Sequence, residues 1–290
     1  MNYMVKITES AYPALFQAAD KASIYSQKKN FAYLRAYITM LIGAVFFSYQ
    51  LSESIIGNIC ALLLFMLSLF ILIVLQLTKP SEATYMTRSL AESVKTLSWK
   101  WMMHTKPYQK ENHEKEFLHN LNILVEMSNY NKTFVKSETN LDKTISKEMK
   151  EIRNMSFENR KQSYLEQRIK EQYKWYVSKS NYNKRMGELW FWCSVVLNIA
   201  AIVIILFRME NIYYPLHLGI VVSSTTAVLT WYQSKRFNEL SIAYNQTAYE
   251  IGLIISEANS ITTEEALSSY VQNSENAISR EHTNWYARKV

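Results

Sequence analysis

Glycine is scarce in this chain of 290 residues: Gly43, Gly57, Gly187, Gly219 and Gly252 are all there is, and no two lie within ten residues of each other. A P-loop and a G-x-G-x-x-G dinucleotide turn both need clustered glycines to bring backbone amides onto phosphate, so both are excluded. Only two cysteines occur, Cys60 and Cys193, each within an apolar run. That leaves neither a disulfide framework nor a zinc ribbon. Histidine gives no metalloprotease signature, because His113 and His119 stand six apart rather than in H-E-x-x-H spacing. His217 reads as an interfacial side chain rather than a proton relay. No paired-carboxylate or activated Ser/Cys pattern stands out. The expectation is therefore no catalytic activity, no cofactor and no bound metal.

Charge is also absent, over long distances. Ala36–Ser52, Ser54–Thr78, Leu189–Phe207 and Asn211–Ser234 carry no charged residue over 17, 25, 19 and 24 positions. A bilayer core of about 30 Å needs roughly 20 helical residues, so all four are long enough to span or nearly so. The first is the shortest and would extend into its flanks, Tyr33 and Gln50. A run such as Leu62–Leu75 is apolar on every face, unlike a surface helix of a soluble domain. A cleavable signal peptide is not expected, since the first apolar run starts past residue 30 and no small-x-small site follows it.

Basic residues give the orientation. Of the 32 Lys and Arg, only Arg208 lies between spans three and four, and none lies between spans one and two. If both hairpins dip in and return, 31 fall on one side, and the positive-inside rule makes that side the cytoplasm. Tyr33, Tyr37, Trp190, Trp192, Trp231 and Tyr232 then anchor the inner interface, and Tyr49, Tyr213 and Tyr214 the outer one. Two hairpins entering from the same side form a parallel repeat. Almost nothing protrudes outside, which excludes a receptor for an extracellular ligand.

The rest reads as helix. Pro80 ends the second span, and Ser81-Glu82 or Thr84 can cap a helix to about Thr105, where Pro107 stops it. Lys110–Met127 repeats apolar residues at helical spacing. From Phe157 a long helix runs through Tyr164, Arg168, Tyr173 and Trp175 into the third span. Phe237, Leu240, Tyr244, Thr247, Ile251, Ile254 and Ala258 form a stripe after the fourth. Thr262 or Thr263 caps a last helix whose first turn holds Glu264 and Glu265. The expected fold is an all-α membrane protein: four transmembrane helices as two parallel-repeat hairpins, with a cytoplasmic helical domain. Residues 1–127 would form the first hairpin with its cytoplasmic helices, and 157–290 the second. Residues 128–156 would connect them, though Leu141, Ile145 and Met149 at spacing four suggest a helix there.

Three segments carry a family resemblance. Arg88-Ser-Leu-Ala-Glu-Ser-Val-Lys-Thr-Leu-Ser-Trp-Lys-Trp-Met-Met103 follows the first hairpin directly. Gln172-Tyr-Lys-Trp-Tyr-Val-Ser-Lys-Ser180 precedes the second, and Ile278-Ser-Arg-Glu-His-Thr-Asn-Trp-Tyr-Ala-Arg288 lies near the chain end. Together they resemble the two-transmembrane effector domains called SLATT, here as two such domains in tandem. The resemblance implies a membrane effector of a bacterial anti-phage or conflict system that oligomerises and perforates or depolarises the inner membrane on activation. It implies as partners the lipid bilayer, other copies of the chain, and a nucleotide second messenger or a cytosolic sensor protein. A non-conducting scaffold or sensor that recruits a cytosolic partner is the alternative.

Two sets of candidate residues follow. Glu92, Lys95 and Trp99 share one helix face, and Arg280, Glu281, His282, Trp285 and Arg288 form a comparable set on the last helix. Tryptophans there pack helix on helix and the charges make interhelical ion pairs, or else Lys95, Lys100, Arg280 and Arg288 face a phosphate-bearing signal. In span four, Gly219, Ser223, Thr226 and Thr230 fall on one face at steps of four, three and four. That face is a small-residue packing seam or a water-facing lining. Asn198 in span three and Asn58 in span two are amides that want a partner in either case. Nucleic acid is not an expected partner, because the basic tract flanks the membrane segments and suits anionic headgroups. Both termini are expected in the cytoplasm of a multi-pass inner-membrane protein. A cysteine probe at Glu53 or Asn211 should react with an impermeant reagent in intact cells, and one at Asn2 or Lys289 should not; labelling of either terminus would overturn the topology.

Overall fold

The turn at Leu51–Ser54 shows how the first hairpin forms. Ser54 is extended and its Oγ accepts from the Gly57 amide at 3.4 Å, while Asn58 Nδ2 donates to Ser52 O at 2.9 Å. Gly57 is required here, because a Cβ would stand 2.5 Å from both Leu51 Cβ and Leu51 O. The computed structural model describes residues 5–127, 144–209 and 217–287, apart from the side chains of 280–287.

Ten α-helices are described: α1 Ala14–Gln50, α2 Ile55–Thr78, α3 Pro80–Met102, α4 His113–Met127, α5 Lys147–Arg153, α6 Phe157–Tyr164, α7 Lys170–Met209, α8 Leu218–Lys235, α9 Phe237–Glu257 and α10 Glu264–Ala287. A π-helical turn, Leu165–Ile169, joins α6 to α7, so helix runs unbroken from Phe157 into the third apolar stretch, as expected. No strand occurs among the described residues. Ala14–Gln50, Ile55–Met102 and Phe157–Met209 are long and apolar enough to cross a membrane. The fourth uncharged stretch is helical in its described part as α8, 18 residues or about 27 Å.

Helix boundaries differ from the sequence reading at α3, and α4 begins at His113 rather than Lys110. Helix α3 begins at Pro80 itself and ends at Met102, short of Thr105. Lys79 takes a left-handed conformation (φ 39°) that closes α2, and proline then suits the first helical position because its missing N–H would have no partner there. Arg236 (φ 52°) makes the same one-residue joint between α8 and α9. Both returning helices thus end on a basic left-handed residue followed at once by another helix, a backbone echo of the repeat. Thr263 caps α10 as expected, its Oγ1 accepting from Ala266 N at 3.2 Å.

The chain divides into two compact units. One takes Met1–Ser26, Ser81–Ser178 and Ala243–Val290. Its core is a packed helical one, with Val94, Trp99, Trp101, Met102, Phe117, Ile152, Tyr164, Ile251 and Val271 buried. The described part of the 128–156 segment contributes to it, since α5 buries Met149, Ile152 and Arg153; Leu141 lies outside the described residues. The second unit takes Gln27–Pro80 and Lys179–Ile242. Here the large apolar side chains face outward: Ile55, Leu62, Met66, Phe70 and Leu77 on α2, and Phe191, Val196 and Ile202 on α7, are exposed. What α2 buries is small: Gly57, Ala61 and Ser68. Small residues at helix contacts with large ones outward is the packing expected where lipid is the solvent.

Candidate functional site

In the first unit the centre is ionic. Arg168, in the π turn, is 1% exposed and reaches Glu275 of α10, itself fully buried, through two parallel bonds: Nε to Oε1 at 2.9 Å and Nη2 to Oε2 at 2.8 Å. Tyr164 OH donates to Oε1 at 3.1 Å and Thr96 Oγ1 to Oε2 at 2.8 Å. Four donors thus satisfy one buried carboxylate, as such a charge requires. Burial opposes the Arg168 charge, but Glu275 outweighs it and the guanidinium is held above its ordinary pKa. Tyr164 is pushed far above the usual phenol value, by burial first and then by Glu275.

Around this pair lie several expected residues. Trp99 is fully buried, donates from Nε1 to Tyr12 OH at 2.8 Å, and meets the Tyr164 ring at 5.6 Å. Lys95 stands 5.5 Å over the Tyr12 ring and 5.7 Å over Phe16, so Lys95 and Trp99 converge on the same tyrosine. Burial, then the Arg168 charge, holds Lys95 below the ordinary lysine pKa. Glu92 is half-buried on the same helix. Lys100 reaches Asn276 Oδ1 at 3.3 Å. The backbone of α10 includes Arg280 and His282, but their side chains, that of Trp285, and all of Arg288 lie outside the described residues.

Sequence reasoning missed the pair itself. Glu275 interrupts the buried stripe Leu267, Val271, Ser274, Ile278, and Arg168 stands between Tyr164 and Tyr176. A charge set in an apolar helical stripe was the available signal. A second buried group was also missed. Arg153 donates to Trp101 O and, at 2.7 Å, to Tyr108 O, with its guanidinium 4.8 Å over the Trp101 ring. Beside it, His104 has a left-handed backbone (φ 53°), and its Nε2 lies 3.0 Å from Arg153 O. Burial, with Arg153 and Arg160 adding like charge, lowers the His104 pKa to about 4. Arg160 is held by both oxygens of Glu264.

In the second unit, the span-four residues divide. Gly219 lies against Tyr49, where a Cβ would be 2.7 Å from the ring, and His217 packs on the same ring at 5.6 Å. Ser223 and Thr230 are half-buried, while Thr226 is exposed on the single chain. Each of Ser223 and Thr226 returns its hydroxyl to its own helix, at Ile220 O (2.9 Å) and Val222 O (3.0 Å). Asn198 is exposed and bonds its own helix, Nδ2 to Ser194 O at 2.7 Å; Asn58 serves the hairpin turn.

Comparison with known families divides the chain into two consecutive matches. Residues 13–161 match the model of SMODS and SLOG-associating 2TM effector domain 3, and residues 164–285 that of SMODS and SLOG-associating 2TM effector domain 1. No curated protein and no solved structure matches the chain.

Two measurements test the buried charges. Glu275→Gln leaves Arg168 buried without a counter-charge and should cost about 3–5 kcal/mol, seen as a large fall in Tm of the full chain in detergent. The double variant Arg168→Met/Glu275→Leu should lose less than either single change; equal or greater loss would remove the pairing argument. His104 is neutral when folded with a pKa near 4, and would titrate near 6.5 when unfolded. Between those values the unfolded chain binds the extra proton, so this contribution to stability is complete above pH 6.5 and declines toward pH 4. His104→Asn tolerates the left-handed backbone and still offers an amide donor. It should flatten the dependence of Tm on pH in that window, and an unchanged slope would show that His104 does not set it.

Proposed function

The chain belongs to the SLATT family, with two of its two-transmembrane effector domains in tandem, and from that premise we propose that it is a bacterial defence effector that assembles in the inner membrane and perforates or depolarises it when activated. In this reading all four uncharged stretches span the bilayer, both termini are cytoplasmic, and the first unit receives the activating signal. That signal is a nucleotide second messenger or a contact with a cytosolic sensor protein. No reaction chemistry is assigned to it.

Assembly is supported by the exposed polar groups on otherwise apolar helices. Asn198 uses only its Nδ2 within the chain, and Thr226 is exposed on the span-four face. An amide left toward hydrocarbon is costly, and a second copy or a water-filled lumen relieves that cost. Four spans cannot readily enclose a wide aqueous pore, so conduction calls for several copies. The non-conducting scaffold is favoured by one observation: Gly219 is already covered by Tyr49 within the chain.

Liposomes holding the purified full chain should leak dye more with a candidate activator than without it, and crosslinking in membranes should give species above the monomer. Thr226→Leu or Ser223→Leu should reduce leakage while the protein still accumulates and assembles, because the hydroxyls are lost from the lining and the bore narrows. Asn198→Leu should weaken assembly. Monomers alone in resting and activated cells, or leakage by the Thr226 variant equal to that of the parent, would favour the scaffold.

A further inference from the structure

One cluster in the second unit is not used by that reading. Arg35 is the last charge of α1 before its apolar stretch, and Lys235 is the first after that of α8. Lys235 Nζ stands 3.3 Å from the centroid of the Phe31 ring and 5.0 Å from that of Trp231, and these two rings meet edge to face at 5.8 Å. Arg35 is one helical turn beyond Phe31 on the same face, close enough for its charge to act on Lys235. Lys235 therefore sits on an aromatic wall, and Arg35 follows Phe31 by one helical turn at its edge.

Among the described residues neither Arg35 nor Lys235 forms an ion pair. The adjacent cation differs: Arg236 is engaged by Glu239, with Nε to Oε2 at 2.8 Å. A further unused donor belongs to the same cluster. Trp190 packs on Trp231 at 6.3 Å, and its indole Nε1 is buried with no hydrogen-bond partner.

Two neighbouring cations repel each other, and an oxyanion between them reverses that repulsion through charge-assisted bonds. The level in the membrane identifies the oxyanion. Where two apolar stretches end together, the surrounding polar layer is that of lipid phosphates. We propose that Arg35 and Lys235, at the Phe31–Trp231 wall, bind the phosphate of an anionic phospholipid of the cytoplasmic leaflet. The site rests on the reading that these helices span the bilayer with this end inward. Phosphate is the shared chemistry of a lipid headgroup and of a soluble phosphate ester, and the test separates the two.

The full chain, purified in a neutral detergent, is titrated with phosphatidylglycerol, phosphatidylcholine or glycerol 3-phosphate. Native mass spectrometry and Tm are the readouts. Phosphatidylglycerol should remain bound and raise Tm, and the other two should not. Arg35→Gln and Lys235→Gln should each weaken that binding about fivefold, the rise in Tm being read against each variant's own lipid-free value. Lys235→Arg, which keeps the cation, and Arg236→Gln, which removes an engaged one, should retain it. The site is overturned if the Gln variants hold phosphatidylglycerol as the parent does, or if phosphatidylcholine binds equally well. A matching effect of glycerol 3-phosphate would overturn the lipid assignment in favour of a soluble ester. Flotation with liposomes separates the two levels: a chain that fails to float removes the membrane reading, whereas one that floats without headgroup preference removes only the site.

Discussion

The first unit is organised by the carboxylate of Glu275. It lies where water cannot reach, so every one of its hydrogen bonds has to come from the protein, and four donors supply them. Those donors sit on α3, on α6 and in the π turn. Tyr164 carries the arrangement on to Trp99, and Trp99 to Tyr12. An apolar interface of leucines tolerates a slip by one turn at modest cost, but a buried carboxylate moved off its donors does not. The pair therefore acts as a register pin for α10 against α3 and α6. The π turn has a local role here, since the widened turn is where Arg168 enters the core.

The second unit obeys a different constraint. In hydrocarbon the polar atoms of each helix have to be answered close to home. Ser68 donates to Phe65 O, Ser194 to Phe191 O, and Ser223, Ser224, Thr225 and Thr226 to carbonyls one turn back on α8. Bonds of this kind hold no helix to its neighbour. Within the apolar stretches interhelical contact rests instead on close approach at small residues, such as Gly43 against Leu64 and Gly219 against Tyr49, and hydrogen bonds between helices stand outside those stretches, where Ser180 and Ser241 exchange them. Helices joined in this way can be rearranged without stranding a charge, which suits a protein proposed to change its assembly in the bilayer.

Much of the fold was legible because charge and hydropathy are long-range averages. The uncharged stretches, the run of helix from Phe157 and the Thr263 cap all follow from residue type and period. The helix start at Pro80 was missed because it depends on Lys79 adopting a left-handed backbone, which lysine rarely advertises. The candidate site was less legible. Lys95 and Trp99 do share a face and meet at Tyr12, since spacing within one helix determines that. Their link to Glu275 is tertiary, joining residues 179 apart in the case of Thr96, and no periodicity reports such a distance. The small-residue face of span four was visible as a pattern. Its division between a residue under Tyr49 and one open to the outside was not.

The outward placement of large side chains on α2 has a consequence for how this chain tolerates change. In the first unit, as in most domains, substitutions at large buried residues are the harmful ones and the surface is permissive. Along α2 the ordering is inverted. Leu62, Met66 and Phe70 need only remain apolar, whereas the few small residues beneath them are buried, as Ala61 and Ser68 are, or, as at Gly57, have no room even for a Cβ. Sequence drift in this protein should therefore run fastest at the bulkiest positions of one unit and slowest at the bulkiest positions of the other, so that a single substitution scale cannot describe both.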